Sequence, residues 1–145
     1  MAPILFDTSV YITALRGKDD ARLNMRQISG GEPVWLSSVV LAELYAGAVA
    51  RNRHVLERLE RDFERARRIL VPNLGDWTQA GKVLALLAAK YGYEQIGQGR
   101  LTNDALIAMS AGRLGIEVIT ANAHDFGKLA EFRPFRWRLH SPAAG

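Results

Sequence analysis

The sequence predicts an α/β fold built on a mainly parallel central sheet. Three observations carry that expectation. A strand-then-helix unit recurs along the chain, each apolar run ends in a polar cluster, and 145 residues suffice for one substantial core without disulfide or metal staples. The expected organisation is a single domain over residues 1–140 with a loose tail at 141–145.

Ile4-Leu5-Phe6 reads as a buried strand that delivers Asp7 at its carboxyl end, where open α/β sheets place their chemistry. Val10 to Arg16 forms the next helix, with Thr8 or Ser9 as its cap and Gly17 as its stop. Ala21 to Ile28 reads as a short second helix closed by Ser29-Gly30-Gly31. Pro33-Val34-Trp35-Leu36 is the next strand, and Ser37-Ser38 caps a helix whose stripe is Val40, Leu41, Leu44, Tyr45 and Ala48. Glu43 lies beside that stripe.

A long helix from His54 to Ile69 sets Leu56, Leu59, Phe63 and Ala66 on one side and Arg58, Arg61, Arg65 and Arg68 on another. Glu57 with Arg61 and Glu64 with Arg68 have the spacing of helical ion pairs, so a solvated face is the first reading and phosphate binding the second. Leu70-Val71 is a short connecting strand, and Asp76 caps a helix running through Trp77, Ala80, Val83, Leu84, Leu87 and Tyr91. That stripe is core or a surface for another subunit. Gly92 to Arg100 reads as a loop, in which Gly97-Gln98-Gly99 lacks the spacing of a phosphate loop. Thr102-Asn103-Asp104 opens a helix that Gly115 ends, Glu117 to Thr120 is a strand, and Arg136 to His140 is a final edge strand.

Composition narrows the chemistry. The chain has no cysteine, which excludes thiolate metal sites, a cysteine nucleophile and disulfides, and suits a reducing compartment such as the cytoplasm. No apolar run approaches the ~20 residues that span a bilayer, and the amino terminus lacks the basic flank of a signal peptide. A net charge of +4, almost all of the cations being arginine, fits a polyanionic partner.

Asp7, Glu43, Asp104 and Asp125 each follow a strand or open a helix, and in a parallel sheet with helical crossovers those places share one edge. Like charges at that range repel, a cost that a divalent cation removes. With oxygen ligands alone the expected ion is hard, Mg²⁺ or Mn²⁺. Metal-dependent hydrolysis of nucleic acid is therefore the leading chemistry. His124, a lone histidine in a loop, is left out of the site.

Four ordered segments, Phe6-Asp7-Thr8-Ser9, Leu36 to Gly47, Asn103 to Ala108 and Ile119 to Phe126, resemble the motifs of PIN-domain nucleases, with the nearest likeness to VapC-type toxins of type II toxin–antitoxin pairs. The resemblance implies a three-layer α/β/α PIN-like domain, a metal held by Asp7, Glu43 and Asp104, and Mg²⁺-dependent endoribonuclease activity. It also implies a homodimer, inhibited by a small cognate antitoxin whose tail occupies a groove by the active site; operator DNA would be met only through that antitoxin. The fourth acidic position of the family falls here on Asn122, a neutral oxygen donor, so Asp125 takes its part or the site runs on three acids. Thr8, Ser37 and Thr120 match supporting hydroxyl positions. Two other readings stand beside it: a catalytically weak or silenced partner in a DNA-bound antitoxin complex, and an aspartyl-phosphate phosphohydrolase, for which Ser9 replaces the second aspartate that such enzymes need.

Overall fold

The computed structural model describes residues 2–16, 31–95 and 100–140. Five strands, β1 (Ile4–Phe6), β2 (Val34–Ser37), β3 (Ile69–Leu70), β4 (Glu117–Thr120) and β5 (Trp137–Leu139), form one sheet in the order β3-β2-β1-β4-β5. Every pairing is parallel, with Ile4 opposite both Val34 and Glu117. The helices among the described residues are α1 (Thr8–Arg16), α2 (Ser38–Gly47), α3 (Arg53–Arg65), α4 (Leu74–Tyr91), α5 (Arg100–Arg113) and α6 (Ala123–Phe132).

Parallel strands need crossovers, and right-handed crossovers dictate the layers. From β1 the chain moves one way through β2 to β3, so α1, α2 and α3 lie on one face, where α2 packs on α1 and on α3. It then jumps back over β1 to β4 and on to β5, which puts α4, α5 and α6 together on the other face. The result is three layers, α/β/α. Connections leave β1 and β4 in opposite directions, making the carboxyl ends of these two central strands a topological switch point, where a crevice opens in such sheets.

β1 is apolar at every position because it is covered on both faces: Ile4, Leu5 and Phe6 are fully buried. Leu36, Val118, Ile107, Leu87 and Phe126 extend the same core. Tyr11 packs edge-on against Phe6, 6.2 Å between ring centroids, and its buried hydroxyl has no partner.

Several boundaries differ from the expectation. The long helix stops at Arg65, because residues 66–68 turn out of it and Ile69-Leu70 pair with β2 as the edge strand. Glu64 and Arg68 therefore do not share a helical turn, and Arg61 donates to the Glu57 carbonyl instead of its carboxylate. The cap of α4 is Asn73: its side chain accepts from the Asp76 N–H, and Asp76 returns the bond to the Asn73 N–H in a capping box. Asp76 is thus inside the helix, and Arg113 of α5 grips it with both Nε and Nη2 near 3.0 Å. A 3-10 turn at Tyr93–Gln95 and the start of α5 at Arg100 fall in the stretch read as loop. α6 carries the chain past the fourth polar cluster, where no helix was expected. The helix read at Ala21–Ile28, the Gly97-Gln98-Gly99 segment and the tail lie outside the described residues.

Candidate metal centre

The site is assembled at the switch point, starting from Asp7. Directly after β1 its chain turns into α1, and Asp7, in the capping place ahead of Thr8, accepts from the Val10 N–H at 3.4 Å. The cap is therefore Asp7 and not Thr8 or Ser9, whose hydroxyls are committed elsewhere. Ser9 Oγ donates to Asp7 Oδ1 and accepts from the Ala121 N–H at 3.0 Å. Thr120, buried at the end of β4, donates to Asp7 Oδ2 at 2.6 Å and accepts from the Asn122 N–H at 2.8 Å. Both carboxylate oxygens of Asp7 are thus oriented by hydroxyls from two elements. Burial pushes the Asp7 carboxyl upward, against these hydrogen bonds.

Glu43 comes from the second turn of α2, where Thr8 Oγ1 donates to its Oε1 at 2.8 Å. Ser37, expected near the site as a hydroxyl, caps α2 instead by accepting from the Val39 N–H at 3.1 Å.

Asp104 completes the group from above the sheet. It is the fifth residue of α5 and not its opening residue, so it projects from an established turn. It is nearly fully buried, and its Oδ2 has no hydrogen-bond partner among the described residues. Its carboxyl is pushed up to about 8, first by burial and then by the negative charges of Asp7, Glu43 and Asp125, with Arg100 opposing. The charges of the other three carboxylates proposed from the sequence thus all reach Asp104.

The fourth position resolves into a pair. Asn122 caps α6: its Oδ1 accepts from the Asp125 N–H at 3.3 Å, and its Nδ2 donates to Asp125 Oδ2 at 2.9 Å. Both polar atoms of Asn122 are turned to Asp125, and it is Asp125 whose charge reaches Asp104.

Sequence reasoning missed two participants. Ser9 bridges Asp7 to the β4 loop, a role that a hydroxyl two residues after an acid at a strand end could have suggested. Arg100, a cation facing Asp104, was hidden by the glycine-rich stretch before it. Tyr45 Oη also donates to Glu60 at 2.8 Å, tying α2 to α3 behind Glu43.

These residues suit a hard divalent cation. All donors are oxygens, one buried carboxylate oxygen has no partner among the described residues, and three other carboxylates add their negative charge at Asp104 against the opposing charge of Arg100. They are not a closed cage: among the described residues, no three Asp, Glu or His side chains converge on one point as a finished ligand set. Thr8 and Asn122 hold Glu43 and Asp125 in their present orientations.

No curated protein matches the chain. A chain of the DNA-bound VapBC structure from Salmonella typhimurium is 23% identical over 96% of this chain and 98% of that one, with a TM-score of 0.68. A chain of promoter-bound VapBC2 from Rickettsia felis is 19% identical over 96% and 99%, with a TM-score of 0.66. A chain of FitAcB from Neisseria gonorrhoeae is 24% identical over 92% and 95%, with a TM-score of 0.55. These likenesses are of fold. The PIN domain model matches residues 4–131, from the first strand through the last helix and across every carboxylate above, and the chain belongs to the PIN domain family, whose members are generally nucleases.

Proposed function

We propose that this protein is a divalent-cation-dependent endoribonuclease, the toxin of a VapBC-like toxin–antitoxin pair. One observation carries the proposal: the charges of Asp7, Glu43 and Asp125 all bear on the buried carboxyl of Asp104, whose Oδ2 has no hydrogen-bond partner among the described residues. Asp7, Glu43 and Asp104 would hold the cation, Mg²⁺ or Mn²⁺ by the hardness of the donors. When bound, it neutralises the carboxylates and draws charge from a phosphoryl oxygen.

The chain's own residues do the rest. Thr120 and Ser9 fix the plane of the Asp7 carboxylate, and Thr8 fixes Glu43. Asp125, oriented by Asn122, is the acid free to accept a proton from the attacking water. Arginines around an acidic pocket suit a phosphodiester, and single-stranded RNA lets one linkage enter it.

Two surfaces support the partners. A cavity of about 270 Å³ next to Glu43, lined by Ile12, Leu15, Leu44, Val49 and Arg51 among others, fits an antitoxin tail. One face of α4 exposes Leu74 and Trp77 beside Gly81, whose missing side chain leaves open space, a face suited to a second copy. DNA binding would then belong to the antitoxin.

The test is cleavage of RNA by purified protein with Mg²⁺ or Mn²⁺. Activity should vanish with EDTA and in Asp7→Asn or Asp104→Asn, and growth arrest on expression should vanish with it. Cleavage that survives either change overturns the mechanism.

A further inference from the structure

The arginine face of α3 carries a residue that the fold alone would not choose. Arg58, Arg61 and Arg65 are exposed opposite the buried Leu56 and Leu59. The helix then ends in a Schellman turn, in which the Arg68 N–H donates to the Phe63 carbonyl and the Arg67 N–H to the Glu64 carbonyl, both at 3.0 Å. Arg67 occupies the left-handed position of that turn, with φ 57°, and is the only non-glycine with positive φ among the described residues.

Glycine is favoured there because any Cβ crowds the backbone. This same chain follows that rule at the end of α5: Gly115, φ 67°, takes the equivalent position, with Ile116 N–H bonded to the Ala111 carbonyl and Gly115 N–H to the Gly112 carbonyl. Helix-dipole compensation does not require Arg67, because Arg65 already stands in the last turn. Nor is Arg67 tied down: among the described residues, Arg58, Arg61, Arg65, Arg67 and Arg68 form no salt bridge.

We infer that Arg58, Arg61, Arg65, Arg67 and Arg68 form a ridge that binds the phosphate backbone of the RNA strand, and that Arg67 occupies a glycine position for the sake of its charge. The inference rests on the ribonuclease reading and adds where the strand runs. Register locates the ridge: β3 pairs Ile69 with Leu36 and Leu70 with Ser37, so Arg68 stands at the amino end of the edge strand, two residues of β3 away from the level where β2 ends. The strand would pass along this edge toward the carboxylates. An acidic protein is the competing polyanion. Protein interfaces are anchored by buried aromatic or aliphatic groups, yet no large apolar side chain between Arg53 and Arg68 is exposed. The ridge has arginine and no lysine, the planar fork that matches phosphate oxygens.

The experiment measures binding of a fluorescent single-stranded oligoribonucleotide in EDTA, where cleavage is stopped, as a function of salt. Arg67→Gly should raise the thermal midpoint while weakening RNA binding, and the slope of log affinity against log salt should shrink by about 0.7 for that one charge. Arg67→Lys should keep the slope without the stability gain. Arg58→Gln with Arg65→Gln should shrink the slope by about 1.4. Unchanged affinity and slope in Arg67→Gly and in the double variant overturn the inference, as does poly-glutamate binding that matches RNA and falls equally in Arg67→Gly. Cleavage of RNA by wild type with Mn²⁺ is scored separately, so loss of the ribonuclease reading is distinguishable from loss of the ridge.

Discussion

Raising the pH of the cation-free protein should destabilise it, and the carboxyl of Asp104 sets the size of the effect. That group sits at about 8 in the fold against 3.8 as an isolated side chain. Between those values the native state retains a proton that the unfolded chain has released, so stability is greatest below the lower value and is lost as pH rises through the upper one. Each pH unit in the window removes up to ~1.4 kcal/mol. Over about four units the loss is on the order of 5 kcal/mol, a ceiling, because the raised carboxyls of Asp104 and Asp7 interact and share their protons. Asp7, also raised by burial, acts in the same direction. Glu131 is lowered from 4.5 by Tyr91 and Lys90, so its contribution is lost only as pH falls, outside this window. Urea unfolding in EDTA, stepped from about pH 4.5 to 8.5, reads the slope directly. Wild-type stability should fall with pH, Asp104→Asn should follow a much shallower line and become the more stable protein near pH 8, and Mg²⁺ should restore only the wild type. A wild-type curve that is flat or rises, or an equal slope in Asp104→Asn, would refute the shared-pocket reasoning.

Three further outcomes are expected. Tyr11→Phe removes a buried hydroxyl with no partner and should raise stability by up to about 1 kcal/mol in the same urea assay. Asp76→Ala breaks both the α4 capping box and the bidentate contact with Arg113, and should cost about 2–3 kcal/mol without altering the affinity for Mn²⁺. Thr120→Val leaves the Asn122 N–H and Asp7 Oδ2 without their shared hydroxyl, and should cost about 1–3 kcal/mol and weaken Mn²⁺ binding by calorimetry.

The sheet, and with it the place of Asp7 at the end of β1, was legible because it is written in local patterns. Ile4-Leu5-Phe6 is apolar at each position only because both faces are covered, and a strand of that kind ending in an acid is a strong signal. What escaped was decided by contacts distant in sequence. Nothing around Asp76 says that Arg113 will hold it, so capping was assigned to the acid and not to Asn73. The end of α3 was overrun because Arg67 gives no warning of a left-handed turn, where a glycine would have announced it. Asn122 looked like a missing ligand, although its amide is the cap and clamp of the acid three residues on. Its departure from the family pattern is read more simply as a division of labour between two neighbouring side chains.

The hydroxyl bond from Thr120 to Asp7 spans 113 positions of the chain, and the bond from Ala121 to Ser9 spans 112. Synthesis must therefore pass Ala121 before both bonds can orient Asp7 and Ser9. A growing chain that stops short of Glu117 already contains Asp7, Glu43 and Asp104, yet β1 has an unpaired edge where β4 belongs. Loop-closure entropy delays such long-range pairing further. The order of translation thus delivers Asp7, Glu43 and Asp104 before the strand that carries Thr120, so the bond that orients Asp7 is among the last to form.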